Sequence, residues 1–184
     1  AARGFRAGIE VRGGCVVPSL GGGLCLLSNA LFTVAVELGW PILERHGHSI
    51  ALAEPRALDA TVAWPHVDLR IAPRTGRAVL AVRVDDDALV VEVWAAAPAR
   101  AQVAVVVEEA REEDRDGARW RRLRVRRRVV DRAVIEDRVI VDDVKRVLAP
   151  AHGALRTCLS CDEVACATGA IARARVGSSL RVVR

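Results

Sequence analysis

The chain has 184 residues, 52% apolar and 28% charged, which suits one domain with a hydrophobic core and excludes a disordered main body. A net charge of +5 is weak support for nucleic acid or an anionic polymer as partner, and nucleic acid is not expected. With four Trp, two Phe and no Tyr, the core must be built largely from Val, Leu and Ala, and its branched aliphatics suit strands better than helices.

Residues 9–17 read as two short extended pieces around a Gly13-Gly14 hairpin turn. Pro18 and Gly21–Gly23 then interrupt regular structure. A helix is expected over about 24–38, with Leu27, Leu31, Val34 and Leu38 at helical spacing, Gly39 ending it and Pro41 barring its continuation. The uncharged stretch 24–36 inside it is too short to cross a membrane, so no transmembrane segment is expected. Short extended runs follow at 42–48, 60–64, 67–72, 78–84 and 88–94, with Asp85-Asp86-Asp87 as a turn between the last two. Residues 102–107 are extended and 108–118 read as a polar loop, before two further runs at 120–130 and 133–141. The expected class is therefore α+β: a mostly antiparallel sheet with one main helix packed against it and a short Cys-containing tail. In domain terms this divides the chain into 1–148 and a Cys-rich segment at 149–184. No signal peptide is legible at the start, and with no Met in the chain Ala1 is not expected to be the native first residue. Localisation stays open between cytoplasm and cell envelope.

Residues 21–68 hold the most suspicious chemistry. Fourteen helical residues after Cys25 advance about 21 Å, and an extended 42–48 returns about 20–23 Å. That brings His46 and His48 back to the level of Cys25, and a further reversal starts the next strand at Asp59. A thiol in the first turn of a helix feels the positive end of its dipole, which favours thiolate. A neighbouring imidazole can take its proton, and a carboxylate on the other ring nitrogen fixes the tautomer. Cys25, His48 and Asp59 thus make a candidate nucleophile, base and orienter, with Gly22 and Gly23 as the loop whose N–H groups approach an oxyanion. No cofactor is expected there. Cysteine is also among the most buried residue types, and spacing does not choose between His46 and His48, which share one face of an extended strand.

The segments GGGLCLLSNALF at 21–32, ERHGHS at 44–49 and DATVAWPHVDLRI at 59–71 resemble the VanW family in order and spacing, with Gly4-Phe5 and Gly13-Gly14 adding to the likeness. The resemblance runs over about residues 3–145, more weakly after 100. It implies His48 rather than His46, because the family pattern ends its second segment in His-Ser. It also implies an envelope-related, glycopeptide-resistance-associated domain acting on, or binding, a peptidoglycan-type or other envelope ligand. Attack on an amide or peptide bond, as in transglutaminase-like enzymes, is the chemistry the three residues would support; the alternative is a binding domain with a structural Cys25. Leu26 departs from the pattern, standing where the family usually carries Gln.

Two features remain. Cys158, Cys161 and Cys166 form C-x2-C-x4-C with His152 upstream, a set that would close a Cys3His zinc site, supply three iron–sulfur ligands, or hold a disulfide. Residues 119–132 carry eight arginines, best read as one solvated strand face paired with Glu136, Asp137, Asp142 and Asp143 on the next run.

Overall fold

The computed structural model describes residues 7–12, 15–21, 23–51, 57–74, 76–86, 88–95 and 101–147. Leu24–Leu148 forms one compact unit, and the N-terminal hairpin belongs to another. In that hairpin β1 (Ala7–Arg12) pairs antiparallel with β2 (Cys15–Leu20), Arg12 opposite Cys15. The Gly13-Gly14 turn itself lies outside the described residues. Pro18 does not interrupt β2 but sits opposite Ile9; in a two-stranded ribbon each strand has a free edge, where a missing N–H costs little.

The larger unit begins with α1 (Leu24–Glu37). The sequence LCLLSNALFTVAVE is apolar on every face, so spacing alone does not choose which side is buried. Ser28, Phe32, Ala35 and Val36 are the buried residues, one position round from the expected stripe of Leu27, Leu31 and Val34. The largest side chain and the hydrogen bonds of Ser28 decide the orientation. The helix ends in a paired reversal: Trp40 N–H donates to Ala35 O at 2.8 Å and Gly39 N–H to Val36 O at 3.1 Å, with Gly39 at φ 67°.

Short strands follow: β3 (Ile42–Glu44), β4 (Ile50–Ala51) and β5 (Arg70–Ile71). β6 (Ala78–Asp85) and β7 (Ala88–Ala95) make a hairpin, and three long strands close the unit: β8 (Gln102–Arg115), β9 (Ala118–Asp131) and β10 (Val134–Val147). β3 pairs with β5, β6 with β7, and the four-stranded sheet has the order β4-β10-β9-β8. Its β4–β10 pair is parallel and the others antiparallel.

The expected class is corrected by these findings. Among the described residues the protein is mainly β, distributed over several small sheets, one of them mixed, instead of an α+β unit with one antiparallel sheet, and the Cys tail lies outside the described residues. The expected strand at 42–48 stops at Glu44, and 60–69 is irregular apart from one Ala63–Val67 bridge. The expected loop at 108–118 is instead strand, turning only at Asp116-Gly117.

On β9, Leu123, Val125, Arg127 and Val129 are buried in alternation, the period of a strand with one face on the core. Leu123 and Val125 join Phe32, Val36, Ala60 and Val141 in the central cluster. Arg127 interrupts this apolar row at 1% exposure. Its Nη1 donates to Trp40 O at 2.8 Å and Ala35 O at 3.4 Å, so a buried cation faces the negative end of α1. Burial pushes the Arg127 pKa down, with Arg138 and Arg74 adding like-charge repulsion.

The opposite face of β9 carries Arg122, Arg124 and Arg126 beside Asp142, Glu109, Glu108 and Asp137 from both neighbouring strands. These exposed pairs contribute little each, but they explain how so polar a segment holds a strand.

Gly39 is needed twice over: its φ is left-handed, and a Cβ there would lie 3.1 Å from Val103 and Val129 side chains. Gly39→Ala is therefore expected to cost about 1–3 kcal/mol in urea unfolding. A loss under about 0.5 kcal/mol would mean that the reversal relaxes freely and does not fix the helix end.

Candidate functional site

The start of α1 is tied to the segment 59–61 by backbone mimicry. Asn29 Oδ1 accepts from Ala60 N–H at 2.6 Å, and Ser28 Oγ donates to Ala60 O at 2.6 Å. Two side chains thus satisfy both polar groups of a buried residue, as a neighbouring strand would. The residues on either side of Ala60 are thereby fixed against the helix. On one side Thr61 Oγ1 lies 3.6 Å from Cys25 Sγ; on the other stands Asp59, 6% exposed.

His48 arrives on the irregular segment after β3. Thr61 N–H donates to His46 O at 2.8 Å, so this segment lies alongside 59–61. Asp59 then grips His48 twice: Oδ2 accepts its backbone N–H at 2.9 Å and Oδ1 lies 2.6 Å from Nδ1. That leaves Nε2 as the ring nitrogen available to the Cys25 thiol, with which the imidazole interacts electrostatically. His46 turns elsewhere, its Nε2 3.0 Å from Glu44 Oε1. The two imidazoles do not share a strand face, because Arg45–His48 is not strand.

The electrostatics follow from these contacts. Burial works against ionisation of the Cys25 thiol, but hydrogen bonds from Thr61, the Val62 backbone and His48, with the imidazolium charge, outweigh it and hold the thiol below its ordinary value. The Asp59 carboxylate raises the His48 pKa against the opposing effect of burial. Burial would raise Asp59 itself, yet His48 and Lys145 hold its carboxyl well below the usual carboxylate range.

The sequence reading misses a second layer of residues. Lys145 on β10, 8% exposed, contacts Asp59 Oδ2 and lies 3.1 Å from Asp143 Oδ2. Arg45 makes two 2.6 Å bonds to the Asp143 carboxylate, and its Nε donates to Asp59 O at 2.6 Å. The same guanidinium stacks over Phe32, 5.5 Å from the ring centre. Asp143 thus faces inward, not toward the arginine row, as alternation along β10 requires. The legible signal was Lys145, the only lysine in the chain.

Of the remaining candidates, Gly23 precedes the helix at φ 86°, while Gly22 lies outside the described residues. So do His152, Cys158, Cys161 and Cys166. Among the described residues no cluster of three or more metal-ligating side chains occurs. Among the described residues no helix is long and apolar enough to cross a membrane. A groove of about 510 Å³ flanks the early turns of α1, lined by Leu26, Ala30, Thr33, Leu58 and Leu89 among others.

The arrangement defines a β-rich protein with a thiol, an imidazole and a carboxylate gathered at the start of its single described helix. The chain belongs to the VanW family: the family described as VanW like protein matches residues 1–94. The Vancomycin B-type resistance protein VanW of Enterococcus faecalis is 30% identical over 98 residues, covering 50% of this chain. The match spans 36% of that relative's own length. No solved structure matches.

Proposed function

We propose that this is a glycopeptide-resistance-associated envelope domain whose Cys25–His48–Asp59 site cleaves or transfers an amide bond in a peptidoglycan-type stem peptide. The substrate class rests on the kinship with a vancomycin resistance protein; the chemistry rests on the site. The observation that carries it is the Asp59 carboxylate holding His48 by Nδ1 at 2.6 Å and by its backbone N–H at 2.9 Å, on the segment whose Thr61 Oγ1 lies 3.6 Å from Cys25 Sγ.

In this reading the Cys25 thiolate attacks the carbonyl carbon and the imidazolium of His48 gives its proton to the departing amine. The resulting thioester is released to water, which gives hydrolysis, or to a second amine, which gives transfer. Unpaired N–H groups in the first turn of α1 would face the oxyanion. The groove with Leu26 would take an aliphatic part of the substrate. A second reading, a ligand-binding domain with a structural thiol, is favoured by Cys25 packing against Thr61 beside a helix clamped by Ser28 and Asn29.

Iodoacetamide labelling of Cys25 against pH, followed by peptide mass spectrometry, separates the two. Labelling is expected well below pH 8, the thiol transition moving up by about one pH unit or more in His48→Ala. An ordinary thiol profile that ignores the substitution leaves the binding domain standing.

A further inference from the structure

The ion cluster behind Asp59 has a feature that orientation alone does not require. It contains two carboxylates, Asp59 and Asp143, and two cationic side chains, Arg45 and Lys145, in one contact network. All four side chains are at most 13% exposed. The charges therefore cancel without His48. The other titratable group acting on the imidazole is Cys25 from α1; on its own segment Glu44 and His46 pair with each other.

We propose that Lys145 and Asp143 are positioning residues that balance the charge behind Asp59, so that His48 remains free to lose and regain a proton during turnover. A buried Asp59 opposed by His48 alone would bias the imidazole further toward its charged form, and a base that releases its proton less readily cycles less well. The geometry makes the balance specific. Lys145 brings a compact ammonium to Oδ2 of both carboxylates, while Arg45 already occupies Asp143 with its planar fork. A second fork would need a carboxylate edge that is no longer free, which accounts for a lysine at this place in a chain where arginine supplies every other basic side chain. Gly47 completes the fit: a Cβ there would fall 2.5 Å from Asp143 Oδ2, so only glycine lets Asp143 lie this close to the His48 segment.

This inference rests on the reading of His48 as the group that moves the Cys25 proton, and its test does not require a reactive thiol. The full chain carrying Cys25→Ser, whose imidazole titration is free of thiol coupling, is followed by NMR of the His48 ring. Lys145→Met leaves one negative charge in excess and is expected to raise the His48 midpoint by about one pH unit or more. Asp143→Asn leaves one positive charge in excess and is expected to lower it by a similar amount. Opposite shifts are the signature of charge balance, since loosening the structure would move both variants the same way. No shift, or shifts of the same sign, overturns the proposal; if one variant does not fold, the sign in the other decides. Should these shifts appear while wild-type Cys25 labels as an ordinary thiol, the balance stands and the amidase reading falls.

Discussion

Asp59→Asn is expected to lower the labelling rate of Cys25 at pH 7 by about tenfold or more and to cost about 2–4 kcal/mol of stability. The kinetic loss arises because Oδ1 no longer holds Nδ1–H as an ionised acceptor, so imidazolium is less favoured and the thiolate loses its partner. The stability loss arises because Lys145 is left in a buried site with Asp143 as its remaining anion. The pH dependence has a definite sign. Asp59 is depressed in the folded protein, so its contribution is complete above the unfolded carboxylate pKa of about 4 and disappears as pH falls through the lower folded value. The gap between wild type and Asp59→Asn in urea unfolding should thus be constant from about pH 5 to 6 and narrow toward pH 2, and it should also shrink as pH rises through the raised His48 value, where the pair loses its imidazolium. A stability loss with an unchanged thiol profile would make Asp59 purely structural and end the triad.

Much of this site was open to arithmetic on the sequence. Helix rise, strand rise and two reversals bring Cys25, His48 and Asp59 to one level, and the structure gathers them by a different route. Instead of a continuous strand to His48, the ladder ends at Glu44, because beyond it the backbone finds partners elsewhere. His48 N–H goes to the Asp59 carboxylate and His46 O to Thr61 N–H, bonds that a periodicity argument does not anticipate. The helix end was legible because Gly39 and Pro41 act locally. The buried face of α1 was not, because every face is apolar and the choice belongs to Ala60, about 30 residues away.

The remaining departures share a cause. Residues 108–115 look like a loop because they are polar, yet Glu108, Glu109 and Glu112 meet arginines of β9 across the ladder, and polarity on a paired strand is a surface, not a break. Asp143 looks like one more counter-charge for the arginine row. Parity along β10 separates it from Asp142: with Val141 buried on the core face, 143 and 145 follow inward and 142 points out. Lys145 and Asp143 lie 86 and 98 residues from Asp59 and Arg45 respectively, beyond any motif. What linked them to the site in sequence was composition alone, one lysine kept where arginine is otherwise the rule.

Phe32→Ala is expected to be the most destabilising single change, at about 3–5 kcal/mol. The ring is fully buried and packs with Val36, Ala60, Leu123, Val125 and Val141, joining α1 to β9, β10 and the segment that carries Asp59. Against a typical total of about 5–15 kcal/mol, such a loss should lower the thermal midpoint by roughly 10–20 °C. Phe32→Leu keeps much of the volume and should cost only about 1–2 kcal/mol, yet it removes the ring over which Arg45 sits. The pair of variants therefore separates two roles of one side chain. If Phe32→Leu is mild in melting but shifts the His48 midpoint, the ring steers the ion cluster through Arg45. If it is mild in both, the bidentate bond to Asp143 holds Arg45 without help, and Phe32 serves the core alone. A Phe32→Ala loss below about 1.5 kcal/mol would contradict the packing itself, because a fully enclosed aromatic ring cannot be removed so lightly from a core this small.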